Sequence, residues 1–593
     1  MSSPSETTTI ASSADAEQAG VRTTIEQVLI ALVLAFVFRA FVVEAFIIPT
    51  GSMATTLLGA HMRFDCPDCG WDYDVNYRTV GSTTFIPKKA QNSSGEDRTL
   101  NIRCPNCGFR QPPRPMPGLD PVDENAQGPN VYYGDRILVL KYLYLFQDPQ
   151  RYDVVVFKNP SRSGAAYANL PVESTESYQE NYIKRLVGLP GESVLLLDGD
   201  VYIAGDARHK ETAELTASDF KIARKSDTVQ EALWRVVYDD DFRPRGAERD
   251  VQLSGGRVET DADFELPWKP SGGWRVESDG FAFAGEGGQL TFDKDANPLC
   301  FYLLDYIAYN QTWDDGLRGK DSADTFGRGF NFAGGPHSRD PGTAWLHYAD
   351  DLRLSLVHHR RDGGGPIALR LSGNGKTFVA RVTPGEVVLL DETDPSSPVE
   401  LARHSDAGVS AVGGTSRLQL AHFDYAIHVE IDGKRVIETN YEPDVGELIF
   451  EERNSLKGPE PAASISAVGH VADITRVKLY RDVHYTARDQ TAGGSGGGGL
   501  HPYASPELFP HGVMRLGEEE YFVIGDNPML SGDARTWTDD VLLPRERLAS
   551  DAGRVPGRFL LGKAFFVYWP GGYRPLPFLP PVVPNVGDMR FIR

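Results

Sequence analysis

A chain of 593 residues with a formal net charge of −22 is several times the length of a usual domain, so three or more folded units are expected. Apolar and charged residues, at 41% and 24%, are ordinary for a globular protein and exclude wholesale disorder. The acidic balance, with no basic patch of the density a phosphate backbone demands, excludes nucleic acid as a partner. Residues 1–20, rich in Ser, Thr, Ala and acidic side chains, predict a disordered tail.

Next comes an apolar run, Thr24 to Phe46, whose centre from Val28 to Phe38 carries no charge. As a helix, 24–46 would reach roughly 35 Å, enough to cross a hydrocarbon layer of ~30 Å. It is therefore expected to be a single transmembrane anchor, with Arg39 and Glu44 near its interfacial end. A cleaved secretory signal is the rival reading. Against it, only Arg22 supplies positive charge before the run, and no small-x-small site is evident after it. One arginine is too weak a bias to orient the segment.

Behind the anchor stands Pro49-Thr50-Gly51-Ser52-Met53, then a cysteine-bearing stretch and a Pro-rich run from Pro112 to Pro121. Strand patterns follow at Arg136–Leu140, Asp153–Phe157 and Ser193–Leu197. Just before the last of these lies Tyr182-Ile183-Lys184-Arg185-Leu186-Val187-Gly188-Leu189-Pro190-Gly191. From about 205 to 515 alternating runs, including Leu352–Val357, Ile367–Leu371, Thr377–Val382, Ile427–Ile431 and Val477–Tyr480, are punctuated by turn signals. Gly363-Gly364-Gly365, Gly373-Asn374-Gly375 and Asp432-Gly433 are examples. Many short strands with few helical patterns predict a large antiparallel sandwich over 230–485. The Ile431–Val436 turn and the Ile474–Tyr480 strand resemble the laminin-G or concanavalin-like jelly roll. A Gly493–Gly499 tract marks a flexible linker within 486–514.

A serine hydroxyl becomes a nucleophile when a base takes its proton, and a lysine can be that base only if burial leaves it neutral. The apolar neighbours Ile183, Leu186 and Val187 offer Lys184 that desolvation. The oxyanion of a tetrahedral intermediate needs donors, for which the Ser52 backbone N–H and the Thr50 hydroxyl are candidates. No H-E-x-x-H motif competes.

Four blocks, in order, resemble the type I signal peptidases (Ser–Lys dyad, peptidase S26-like), the membrane-bound proteases that remove signal peptides. They are the serine box at 49–53, Gly134 to Tyr142, the lysine box at 182–191, and Gly525-Asp526-Asn527-Pro528-Met529-Leu530-Ser531-Gly532-Asp533-Ala534-Arg535 continuing to Gly562–Phe565. The resemblance implies Ser52 as nucleophile, Lys184 as general base, Thr50 as oxyanion donor and Ser531 as a hydrogen-bond partner of the lysine. Asp533 and Arg535 would be a supporting acidic–basic pair. It places the N-terminus in the cytoplasm and the rest outside the cell membrane, with catalytic core at 47–65, 128–204 and 515–580. It implies preproteins cut after small-x-small (Ala-x-Ala) sites, with Met53, Leu57 and Tyr182 as pocket candidates. This chain departs from the family in having Thr55 where proline is usual three residues after the nucleophile. Pro528-Met529-Leu530 likewise replace a polar stretch.

Two matching knuckles, Cys66-Pro67-Asp68-Cys69-Gly70 and Cys104-Pro105-Asn106-Cys107-Gly108, predict a structural zinc held by Cys66, Cys69, Cys104 and Cys107 in a ribbon over 62–112. Two disulfides are the alternative in an oxidising compartment, and Cys300 remains as a small apolar residue. The expected fold class is thus mainly β: one transmembrane helix and a signal-peptidase-like catalytic core interrupted by a zinc ribbon and a large antiparallel sandwich. No cofactor is expected for catalysis. Partners would be signal-peptide-bearing preproteins, the lipid bilayer and a glycan on the sandwich, where Trp274, Trp313 and Trp345 could stack on sugars. The competing functional readings are a membrane-anchored glycan or cell-envelope binding protein with the core as scaffold, and a self-cleaving regulator.

Overall fold

The computed structural model describes residues 23–33, 42–76, 131–161, 180–205, 209–245, 266–293, 349–453, 460–485, 509–528, 531–537, 540–543, 548–571 and 583–593, with short pieces within 79–109 and 250–260 and at 313–314. The expected tail at 1–20, the Pro-rich run, Cys300, Trp345 and the Gly493–Gly499 tract lie outside the described residues.

Strands dominate, as the many short alternating runs require. In chain order, the first sheet is built from β1 (Val43–Ile47), β2 (Arg136–Leu140), β3 (Val154–Lys158), β4 (Asn181–Gly188), β5 (Glu520–Ile524) and β6 (Leu560–Trp569). Their spatial order is β1-β2-β6-β3-β4-β5, every pair antiparallel. The Val-Val-Val-Phe run of β3 is buried throughout because it is central, flanked by β6 and β4 and covered on both faces. One face carries Met53, Ile137, Val139, Val154, Val156 and Ile183; the other carries Val155, Phe157, Leu186 and Val523.

The expected 24–46 helix is corrected at its far end. Residues 23–33 are helical, 34–41 lie outside the described residues, and Val43–Ile47 is strand β1. Val43 pairs with Leu140 and Ile47 with Arg136, so this sheet edge recruits the segment through backbone hydrogen bonds that local apolarity does not announce. Among the described residues no helix is long and apolar enough to cross a membrane.

A second sheet begins with the hairpin of strands Ser193–Leu197 and Asp200–Ala204, closed by Asp198 and Gly199 at φ 48° and 87°. Met514–Arg515, far along the chain, pairs with Ser193 and Val194, and β5 then pairs with β4. The chain therefore leaves the first sheet after β4 and returns beside the strand it left.

Between these points lies a 13-stranded antiparallel sheet. Its long strand Gly280–Phe292 pairs through 281–285 with His470–Arg481 and through 288–291 with Ala462–Ala467. The sheet folds over at this glycine-containing stretch, and its halves share one core. Leu369, Phe378, Val387 and Leu389 from one half meet Leu354, Leu356, Leu418 and Ile427 from the other. That is a β-sandwich. Asn374-Gly375 and Asp432-Gly433, all at positive φ, close two of its hairpins as their sequence predicts. Trp274 is 4% exposed in this core, so it is a packing residue and offers no face to a sugar. The side chain of Trp313 lies outside the described residues.

Candidate active site and metal centre

Ser52 sits in a one-turn 3₁₀ helix, Gly51–Met53, just after β1. Met53 and Leu57 are fully buried and anchor this turn in the sheet's core. Asp135 secures the turn's exit. Its carboxylate accepts the Leu58 N–H at 3.0 Å and the Gly571 N–H at 3.2 Å, and it pairs with Arg590 at 3.0 Å.

Lys184 and Arg185 are neighbours on β4, so their side chains diverge. Lys184 Nζ donates to Ser52 Oγ at 2.7 Å and to the Ile183 carbonyl at 3.1 Å. Its side chain is 4% exposed. Burial lowers its pKa to about 8, against a partial upward pull from the Asp533 and Asp526 carboxylates. Arg185, wholly buried, forms a two-pronged pair with Asp526, both N–O distances 2.7 Å, and reaches the Tyr152 carbonyl at 2.8 Å. The half-buried Tyr182 ring stands 5.5 Å from Lys184 Nζ.

The loop following β5 closes over the serine turn. Asn527 N–H donates to the Ser52 carbonyl, and its side-chain amide donates to the Gly51 carbonyl, both at 3.0 Å. Gly525 has no room for a side chain, since a Cβ there would lie 2.5 Å from the Ser52 carbonyl oxygen and 2.2 Å from Ser531 Oγ. Asp533 and Arg535 pair through two contacts of 2.8 Å. Asp533 also accepts the Gly525 N–H at 3.0 Å, and Arg535 reaches the Pro528 carbonyl at 3.0 Å. The arginine holds the Asp533 carboxyl below its usual range despite burial, which on its own would raise it.

Ser52, Lys184, Ser531, Asp533 and Arg535 thus converge from three distant stretches. One expectation differs from the geometry. Ser531 is buried beside Gly525, and the hydrogen bonds of Lys184 Nζ run to Ser52 Oγ and the Ile183 carbonyl, not to Ser531. Thr50 is exposed at the N-cap of the serine turn, with no side-chain capping bond. The residue reading missed Arg185, Asp526 and Asn527. An arginine inside an apolar strand was the available signal, because such a charge must find a buried carboxylate. Arg235 was missed too, and no local pattern marks it. From the sandwich's edge strand Arg235–Asp239, it donates to Thr55 Oγ1 at 2.9 Å and approaches the Asp526 carbonyl at 3.4 Å.

Cys66, Cys69, Cys104 and Cys107 are buried and unbridged. Their four sulfurs all lie within 4.8 Å of one another, with Cys66–Cys107 and Cys69–Cys104 each at 3.5 Å. Tetrahedral thiolates about 2.3 Å from a metal would stand roughly 3.8 Å apart, so the four thiols fit a shared ion and can hold one. The knuckles dock on the sandwich: Asn106 donates to the Asp239 and Phe242 carbonyls at 3.2 and 2.7 Å, and Trp71 packs edge-on to Phe242.

Residues 121–242 match the family described as signal peptidase, peptidase S26. Curated relatives include a probable signal peptidase I-2 from Synechocystis, 31% identical over 84 residues, covering 14% of this chain and 34% of that protein. Signal peptidase I of Leptolyngbya laminosa is 36% identical over 84 residues, covering 14% of this chain and 37% of its own length. Signal peptidase I V of Bacillus subtilis is 29% identical over 84 residues, covering 14% and 40%. The matches therefore span little more than a third of these relatives. Among solved structures, the carbohydrate binding module CBM66 from Bacillus subtilis aligns at TM-score 0.21 and 10% identity, over 36% of this chain and 94% of that one. Sheep galectin-11 aligns at 0.16 and 13%, over 22% and 90%. Scores this low support no inference about ligands.

Proposed function

We propose that this chain, whose 121–242 segment belongs to the signal peptidase family, peptidase S26, is a membrane-bound serine endopeptidase that removes signal peptides from exported preproteins after small-x-small sites. The observation that carries this reading is the 2.7 Å contact between Ser52 Oγ and a buried Lys184 whose ammonium loses its proton near pH 8. Neutral Lys184 Nζ takes the Ser52 proton as Oγ attacks the scissile carbonyl, and the resulting ammonium returns it to the departing amine. A water activated by the same nitrogen then releases the acyl group. The Ser52 N–H and the exposed Thr50 hydroxyl would stabilise the oxyanion. Ser531 would support the Asp533–Arg535 pair in shaping the loop. Nucleophile and base are both side chains, so catalysis uses no cofactor.

The four cysteines would hold a structural zinc, since a closed four-thiolate site leaves no position for substrate. The domain plan follows: core at 47–65, 128–204 and 515–580, extended by β1, with the ribbon at 62–112 and the sandwich at 230–485 as insertions. Membrane attachment is supported by the helix at 23–33, whose Ile25, Val28, Leu29, Ile30 and Val33 are all more than half exposed. Such a surface asks for an apolar surrounding. The catalytic region would then lie on the extracytoplasmic side of the cell membrane.

The test is cleavage of a preprotein bearing an Ala-x-Ala site by the full chain in detergent. Processing at that site should vanish in Ser52→Ala and Lys184→Ala while both variants stay folded. Folded wild type that cuts none of several preproteins, or a Lys184→Ala variant that keeps substantial activity, would overturn the reading.

A further inference from the structure

The serine turn belongs to a loop that closes on itself. After Gly51–Met53 the Leu57 N–H donates back to the Met53 carbonyl at 2.8 Å, and Gly59 then returns against the peptide joining Thr50 to Gly51. The approach leaves no space for a side chain. A Cβ on Gly59 would lie 2.4 Å from the Thr50 carbonyl carbon, 2.6 Å from its oxygen and 2.8 Å from the Gly51 nitrogen. Gly59 is thus the neck of the loop. In a close-packed interior, a shift of its backbone is passed to the peptide just before Ser52.

A buried histidine holds that neck. His61 is 1% exposed, and its Nδ1 lies 2.8 Å from the Gly59 carbonyl. A carbonyl can only accept, so Nδ1 carries the proton and donates it. The ring is fixed on its other sides as well. It stacks on Tyr132, with centroids 5.5 Å apart and planes 7° from parallel. Gly571 makes room for it, since a Cβ there would lie 2.8 Å from Cε1 and 3.1 Å from Nε2. Nε2 faces Asp74 Oδ1 at 3.6 Å, and Arg63 Nε holds that same oxygen at 2.9 Å. His61, Arg63 and Asp74 all belong to the hairpin His61–Asp65/Asp72–Asn76, whose turn is the first cysteine knuckle.

We propose, resting on the protease reading of the site, that His61 is a positioning residue for the oxyanion side of the reaction. Its Nδ1–H fixes the Gly59 carbonyl, Gly59 fixes the Thr50–Gly51 peptide, and that peptide sets where the Ser52 N–H and the Thr50 hydroxyl stand as charge develops on the scissile carbonyl. Such donors act only when placed in advance. The imidazole works through backbone and touches no reacting atom. Asp74 and Tyr132 hold its plane, so the hairpin that carries the first knuckle contributes to the geometry of the serine turn.

The test measures kcat and KM of the full chain in detergent, with zinc supplied, on a preprotein bearing an Ala-x-Ala site. His61→Phe keeps a ring to stack on Tyr132 but has no donor. His61→Asn puts an amide N–H near the place of Nδ1, and His61→Gln puts one near that of Nε2. His61→Phe and His61→Gln should lower kcat about tenfold or more, as a misplaced reacting group does, with KM changed by no more than about twofold. His61→Asn should restore most of the loss. The acidic limb of the pH profile, which belongs to Lys184, should stay in place in all three. Should His61→Phe fail to fold, His61→Asn against His61→Gln makes the same comparison. Wild-type kcat in folded His61→Phe, equal kcat in the Asn and Gln variants, or a loss confined to KM would each overturn the role of His61 alone. Wild type that cuts none of several preproteins would remove the protease reading and this one with it.

Discussion

In the proposed mechanism Lys184 is the base, and its burial has consequences with a definite sign. Its folded pKa, about 8, lies below the ordinary 10.5, so the neutral base accumulates as pH rises. The rate of cleavage should therefore climb through pH 8 and level off above it, read as the acidic limb of a kcat/KM profile. The same shift makes the folded chain bind fewer protons than the unfolded chain between about 8 and 10.5, so stability rises with pH across that window. Lys184→Met, which removes the titrating group, should be inactive and melt above wild type at neutral pH. That gap should narrow toward pH 10, as calorimetry can read. A pH-independent gap would mean Lys184 is not buried uncharged.

At the scale of elements, the serine turn is held from three sides: Asp135 before β2, Asn527 and Gly525 after β5, and Arg235 on the sandwich edge. The last contact links the sandwich to the serine turn. Thr55, which stands where the resembled family usually has proline, accepts the Arg235 guanidinium. A hydrogen bond to a charged group is worth about 1.5–3 kcal/mol. Arg235→Ala is accordingly expected to lower kcat by about tenfold or more, with KM and melting temperature little changed. Arg235→Lys should restore part of the loss. A variant with wild-type kcat would reduce the contact to a packing detail.

Over the whole molecule, the knuckles grip the sandwich through Asn106 and the sandwich grips the serine turn through Arg235. Four buried thiols without a metal repel as they ionise and leave a small core, Met62, Phe64, Tyr73 and Val75, poorly tied together. Stripping the metal with a strong chelator should lower the melting temperature and expose the cysteines to thiol reagents, and zinc should restore both. Cysteines equally reactive before and after chelation would argue against a bound ion.

By itself the sequence determined the strand-rich class, the hairpin turns at Asn374-Gly375 and Asp432-Gly433, the paired knuckles and the serine and lysine boxes. Each is a local pattern whose physics acts within a few residues. It could not show that Val43–Ile47 would leave an apolar run for a sheet edge, nor that Trp274 would be walled into a core. Both depend on partners far away along the chain. Tertiary structure alone decided that Lys184 bonds Ser52 and not Ser531, that Arg185 needs Asp526, and that Arg235 touches Thr55. Those contacts are set by strand register and loop closure across long separations, and no spacing along the chain encodes them.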